Sequence, residues 1–257
     1  MILAIDVGNT NVVLGCIEGK EILSVARMAT DVHKTEYEYA VAMRDVLAFR
    51  GVDVSELEGA ILSSVVWPLT TTLHRAVELL TGKAPLVVGR GLKTGLDIRI
   101  DDPGQVGADL VVGAVAGLHL CAPPLILIDM GTATTFTVVD AAGRFRGGAI
   151  VPGLRLSMEA LSEGTSLLPR VSLEAPEKCI GTNTVASMQS GAIFGTAAMM
   201  DGMIDRMEEE LGEKASVIAT GGLAGCVVPC CRREIRYEPE LLLIGLAVLW
   251  EKNRKTK

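Results

Sequence analysis

The chain has 257 residues, 49% of them apolar and 21% charged, enough for a packed core in one large domain or two of ordinary size. Its formal net charge of −7 argues against a protein that binds nucleic acid by neutralising phosphates. A small anionic ligand is not excluded, because backbone N–H groups hold phosphate without any net positive charge.

Met1 opens directly into a strand with no basic stretch before it, and the apolar runs are broken by Asp, Gly or Pro short of a membrane span. Neither a secretion signal nor a spanning helix is expected, and the protein is expected in the cytoplasm. The run "ILAIDVGNTNVVLGCIEG" (2–19) reads as a β-hairpin: an apolar strand, an Asp-x-Gly-Asn-Thr bend and a β-branched return. Residues 36–52 have the apolar spacing of a helix, with Thr35 placed to cap it. Residues 57–66 form a strand ending in small polar residues. A helix opened by Pro68 follows, and then the strand "APLVVG".

In "DDPGQVGADLVVGAVAGLHL" Asp109 falls in the first turn of an apolar helix, where the helix dipole favours any acid. His119 is expected as a satisfied core histidine on that helix, and His74 on a helix surface. "LILIDMGTATTFTVVD" (125–140) then repeats the opening: strand, Asp129, a bend rich in Gly131, Thr132, Thr134 and Thr135, and a β-rich return toward the turn Ala142-Gly143-Arg144. Helices are expected at "LRLSMEALSEG" and "VASMQSGAIFGTAAMMDGMIDRMEEELG". "ASVIATGGLAG" (215–225) is a strand running into a glycine turn, and "ELLLIGLAVLWEKN" an amphipathic closing helix. The final "EKNRKTK" reads as a frayed, cationic helix end.

The two hairpins lie too far apart for a solenoid repeat, and a single duplication of a whole domain fits better. Strands alternating with helices imply α/β layers, and the hairpins make each sheet mixed rather than purely parallel. The expected division is 1–115 and 116–257.

Cys16, Cys121, Cys179, Cys226, Cys230 and Cys231 show no CxxC pair and no His at zinc spacing, which favours free thiols in a reducing compartment. The Cys226, Cys230, Cys231 cluster is the one place where a metal or redox reading competes. The methionines of "MMDGMIDRM" suit adaptable packing, in the core or at a subunit interface.

One Asp-x-Gly-Asn-Thr run is an ordinary hairpin turn. Two copies, each after an apolar strand, point to phosphate. Glycine lets backbone approach a ligand, and hydroxyls and amides add donors. An acid cannot touch phosphate directly, so Asp6 and Asp129 make sense as holders of a cation that bridges to it. They are expected to face each other across a cleft, one per domain. Gly221 and Gly222 suggest bare backbone on which an adenine ring lies.

Three such elements in this order resemble the actin-like ATPase (ribonuclease H-like) superfold. "DVGNTNVVLG", "GADL", "DMGTATTF", "GGAIVPG", "LPRV" and "GTNTVASMQSG" together resemble the type III pantothenate kinases over nearly the whole chain. That resemblance implies ATP-dependent phosphorylation of pantothenate to 4'-phosphopantothenate, the first step of coenzyme A synthesis. It further implies a homodimer that uses Mg²⁺ and a monovalent cation such as K⁺ or NH₄⁺. Position by position, it implies that Asp6, Val7, Gly8, Asn9, Thr10, Asn11, Val12, Val13 and Thr132 bind ATP. Asp129 would bind the monovalent cation. Ile100, Gly107, Ala108, Asp109 and Leu110 would line the pantothenate site. Thr184 would reach pantothenate near the dimer interface. Asp109 would be the general base: a primary alcohol must lose a proton as it attacks phosphorus, and an acid within hydrogen-bond reach can accept it.

The chain departs from the family pattern around the acceptor. Leu110 stands for the usual Arg of Gly-Ala-Asp-Arg, Ile100 for an aromatic residue, Gly113 for Asn and Gly164 for Arg. Losing an Arg fork that meets a carboxylate costs about 2–5 kcal/mol. The alternatives are a non-catalytic nucleotide-binding paralogue or a kinase for another small alcohol.

Overall fold

The computed structural model describes residues 1–254. In chain order its elements are β1 (Ile2–Val7), β2 (Asn11–Glu18), β3 (Glu21–Ala29), α1 (Glu36–Phe49), β4 (Gly59–Ser64), α2 (Trp67–Thr81), β5 (Leu86–Val87), β6 (Asp97–Ile98), α3 (Ala108–Leu120), β7 (Leu125–Met130), β8 (Ala133–Val139), β9 (Arg144–Pro152), α4 (Leu154–Glu163), α5 (Thr184–Leu211), β10 (Ser216–Thr220), α6 (Ala224–Val227), β11 (Arg236–Tyr237) and α7 (Leu241–Asn253). The chain forms two compact units. One comprises 1–96, 104–119 and the described residues from 241 on, the other 97–103 and 120–240.

The first unit holds a five-stranded sheet in the order β3-β2-β1-β4-β5. β1 pairs antiparallel with β2 and parallel with β4. One face of this sheet carries Leu3, Ile5, Val7 and Leu62 against Tyr39, Met43 and Leu47 of α1 and Leu69 and Leu73 of α2. The opposite face carries Ile2, Ala4 and Ile61 against Val112 and Val115 of α3 and Leu243, Leu246 and Leu249 of α7. A sheet covered on both faces needs apolar residues in consecutive positions, which is why "ILAI" does not alternate. α1 starts as expected. Thr35 Oγ1 accepts the Glu38 N–H at 3.4 Å, and the Glu38 carboxylate accepts the Thr35 N–H at 2.8 Å, a reciprocal cap.

The second unit holds a six-stranded sheet, β11-β10-β7-β8-β9-β6. β7, β8 and β9 pair antiparallel as β1, β2 and β3 do, and β10 runs parallel to β7 as β4 does to β1. The duplication extends to detail: β1 (ILAIDV) and β7 (LILIDM) are each six residues, with Asp fifth and the same burial pattern. The β8–β9 turn is fixed by buried Asp140, which accepts the Ala142 and Arg144 N–H groups at 3.0 Å each and pairs with Arg144 Nε at 2.9 Å.

The contact-defined units differ from a cut between residues 115 and 116. That cut falls inside α3, and α7 packs on the first unit although it ends the chain. α7 is also not amphipathic. Leu241, Leu243, Gly245, Leu246 and Leu249 are buried and the other residues between them half-buried, because the helix sits in an apolar layer with α3. His119 is exposed at the last turn of α3 rather than in the core, and His74 is half-buried. Thr134 and Thr135 belong to strand β8, not to the bend. The frayed end expected at "EKNRKTK" is helical to Asn253, and residues 255–257 lie outside the described residues. No helix among the described residues is long and apolar enough to cross a membrane.

Candidate active site

In the first unit the acid-and-glycine bend caps the β1–β2 hairpin. The Gly8 N–H donates to the Asn11 carbonyl at 2.9 Å. Asn9, Thr10 and Asn11 are exposed, Val7 and Val12 are buried, and Val13 is half-buried. The bend therefore offers its polar tip while its apolar flanks anchor it in the sheet. Asp6 sits one residue before the end of β1, on the face that carries Ile2 and Ala4. Its register partner on β4 is Ser63. The Ser63 Oγ is fully buried and has no hydrogen-bond partner. Leaving a buried hydroxyl unpaired costs about 1–3 kcal/mol, so Ser63 is a polar group that the packing of this face leaves uncompensated.

The same face bears α3, whose first turn carries Asp109. Gly107 and Ala108 lead into this helix, and the Gly107 carbonyl accepts the Val111 N–H at 3.2 Å. The Asp109 Oδ1 accepts the Leu110 N–H at 2.8 Å, which orients the carboxylate. Burial raises its pKa above the ordinary 3.8, opposed by the backbone N–H groups of Leu110 and Asp109 itself. A carboxylate pushed upward by desolvation is a better proton acceptor than an exposed one. Leu110 is half-buried.

In the second unit Asp129 occupies the fifth position of β7, with Thr135 across on β8 and Thr220 beside it on β10. The Gly131 N–H donates to the Ala133 carbonyl at 3.1 Å, closing the second bend, and Thr132 is exposed at its tip. Gly221 follows β10 with φ of +95°. A Cβ there would lie 2.7 Å from Asp129 Oδ1 and from the Met130 backbone nitrogen. Gly221 is therefore required by the close approach of its backbone to the Asp129 strand, a reason the sequence did not reveal. Gly222 faces open space.

Ile100 follows β6 and belongs to the second unit, near Gly147, whereas Gly107, Ala108, Asp109 and Leu110 belong to the first. Thr184 is the first residue of α5 and is exposed. It lines an open groove of about 660 Å³ between α4 and α5, whose walls are mainly apolar: Val151, Met158, Leu161, Leu168, Met188 and Met199. Of the three clustered cysteines, Cys231 is pushed up to about 12 by burial and then by Asp201 and Cys230. No cluster of three metal-ligating residues occurs among the described residues, and the Cys226 and Cys231 thiols meet the Leu223 and Val227 carbonyls at 3.0 and 3.6 Å.

Two duplicated α/β units, each presenting an acid-and-glycine bend at the tip of a β-hairpin, define the actin-like ATPase class of fold. Solved structures agree. The activator of 2-hydroxyisocaproyl-CoA dehydratase from Clostridium difficile, solved with bound ADPNP, matches with a TM-score of 0.54 at 11% identity, covering 100% of this chain and 98% of that one. The ROK hexokinase from Thermus thermophilus matches with a TM-score of 0.54 at 16% identity, covering 96% and 97%. A family profile described as Type III pantothenate kinase matches residues 2–206. A protein of Moorella thermoacetica described as a type III pantothenate kinase is 45% identical over 253 residues, 98% of this chain and 100% of the relative. The chain belongs to the type III pantothenate kinase family.

Proposed function

We propose that this chain transfers the γ-phosphoryl group of ATP to the primary hydroxyl of pantothenate, in the cytoplasm, as a homodimer. Family membership over nearly the full length supports the reaction. The observation that carries the mechanism is the half-buried, backbone-oriented Asp109 at the start of α3. Asp109 accepts the hydroxyl proton as oxygen attacks phosphorus, and ADP leaves. The bend from Asp6 to Val13 in the first unit, and Thr132 at the bend of the second, each offer N–H and hydroxyl donors to phosphate. Gly222 offers bare backbone for the adenine, with Gly221 beside it. Gly107, Ala108 and Leu110 in the first unit, and Ile100 and Thr184 in the second, are the candidate acceptor residues. Leu110 supplies shape rather than charge, so the pantothenate carboxylate must find its cation elsewhere.

Two ions fit the residues present. Asp6 beside the unpartnered Ser63 hydroxyl suits Mg²⁺ and its water shell, which prefers one carboxylate and several waters. Asp129, with Gly221 backbone where a side chain would otherwise stand, suits a monovalent cation, K⁺ or NH₄⁺. When bound, both ions neutralise charge on the phosphates. The six cysteines are all free thiols, which suits a reducing cytoplasm.

The test is ADP release measured with and without pantothenate. Turnover should require pantothenate, vanish on chelation of Mg²⁺ and fall several-fold when Na⁺ replaces K⁺. ATP binding without turnover on pantothenate would sink this reading in favour of a nucleotide-sensing paralogue or another acceptor.

The dimer is supported by apolar exposure beside the α4–α5 groove. Ile150 is 73% and Leu167 89% exposed, and both neighbour groove residues in sequence. Exposed apolar groups around a groove mark an association surface. Light scattering should give twice the chain mass, and Leu167→Glu should give the single-chain mass with an unchanged circular dichroism spectrum. A wild-type mass of one chain overturns the dimer.

A further inference from the structure

Thr30 follows β3 and meets the first bend twice. Its hydroxyl donates to the Gly8 carbonyl at 2.7 Å, and its N–H donates to the Thr10 carbonyl at 3.0 Å. A bend that binds phosphate must turn its carbonyl oxygens away from the anion, since both are negative. The peptide unit is planar and trans, so a carbonyl and the next N–H point in opposite directions. Holding the Gly8 carbonyl on Thr30 therefore aims the Asn9 N–H away from Thr30, and holding the Thr10 carbonyl fixes the other arm of the bend.

Thr30 is itself braced. The next residue, Asp31, is held by Tyr39, whose fully buried hydroxyl accepts the Asp31 N–H and donates to the Asp31 carbonyl, each at 2.9 Å. The bend is thus tied through Thr30 and Asp31 to the α1 side of the core. The second unit solves the same problem differently. At the position matching Thr30, the Gly153 N–H donates to the Thr132 carbonyl at 3.0 Å. No hydroxyl is present there, and a Cβ on Gly153 would run into the carbonyls of Gly131 and Thr132. In the first unit a side chain, that of Thr30, pins the carbonyl of the bend's glycine.

We infer that Thr30 is a positioning residue for nucleotide, holding the Gly8–Thr10 bend in the conformation that receives phosphate. The inference rests on the reading of that bend as the ATP-phosphate site. The experiment compares wild type, Thr30→Val and Thr30→Ser by ADP calorimetry and by steady-state KM values. Thr30→Val keeps size and N–H but removes the hydroxyl donor. It should weaken ADP binding and raise the ATP KM about tenfold, the scale of one lost hydrogen bond. Thr30→Ser should restore both to within about twofold, while the KM for pantothenate and the unfolding midpoint stay put. A merely structural threonine would lower the midpoint and leave the two KM values moving together. Wild type that binds ADP alongside an equally tight Thr30→Val overturns this inference alone. Wild type that binds no nucleotide overturns the reading of the bend as well.

Discussion

Asp109→Asn is expected to lower the phosphoryl-transfer rate by about 10²–10⁴-fold, the worth of a positioned general base, while ADP affinity stays nearly unchanged. Asn keeps an Oδ1 acceptor for the Leu110 N–H but cannot take a proton. The same substitution should raise the unfolding temperature at neutral pH. Burial raises the folded-state pKa of Asp109 above its ordinary 3.8. Its stabilising contribution is therefore complete below the unfolded-state pKa and is lost as pH rises through the folded one. At pH 7 the ionised, partly desolvated carboxylate weakens the fold, and a neutral isostere relieves that. The pH–rate profile should show the matching limb: activity falls on acidification through a pKa above the ordinary carboxylate value. An Asp109→Asn enzyme that keeps most of its rate is incompatible with the base assignment. One that loses stability at pH 7 contradicts the electrostatic account of this partly desolvated acid.

Arg233→Met is expected to destabilise the protein by about 3 kcal/mol, because it takes two charge-assisted hydrogen bonds from buried Glu208 and leaves that carboxylate only Lys214 and the Ala215 N–H. Glu208 of α5 is 4% exposed. Its two oxygens accept Arg233 NH2 at 2.7 Å each, Lys214 Nζ at 2.6 Å and the Ala215 N–H at 3.1 Å. Arg233 also reaches Asp205, and its N–H is accepted by Asp201 at 3.0 Å. Asp201, Asp205 and Glu208 form a stripe along one side of α5 that ties down the segment before β11. At about 2–4 °C per kcal/mol, the melting temperature should fall by roughly 10 °C. The double variant Glu208→Leu with Arg233→Met should recover much of the loss, since a matched apolar pair avoids the desolvation cost.

Burial pushes the Glu208 pKa up, but Lys214, Arg233 and the Ala215 N–H outweigh it and hold it below the ordinary 4.5. Its contribution is therefore present above the unfolded-state pKa and lost as pH falls through the folded one. Wild type should lose this increment on acidification below about pH 4.5, the unfolded-state range for Glu, and Arg233→Met should already lack the part that Arg233 supplies. A melting temperature within 1 °C of wild type would remove the network from the list of stabilising features.

The hairpins, the duplication and the helices α1, α2, α4 and α5 were legible because their signals are local. Turn glycines, β-branched runs and 3.6-residue periodicity each act within a few residues. Asp6, Asp129 and the two bends could be found for the same reason, and Asp109 could be placed at a helix start, though its base role needed the family resemblance. The strands β6 and β11, two residues each, left no such signal. They exist because a neighbouring strand offers backbone partners, not because their residues prefer extended structure.

What the amino-acid order determined by itself was the pair of strand–acid–glycine bends and the α/β layering, since these follow from backbone preferences and apolar spacing along short stretches. Only the tertiary structure decided that the last helix returns to the first unit, that Ser63 lies unpartnered beside Asp6, that Thr30 reaches back across 22 residues to Gly8, and that Arg233 neutralises Glu208. Each of those depends on which surfaces exclude water together, and burial is a property of the packed chain that no short window of sequence contains.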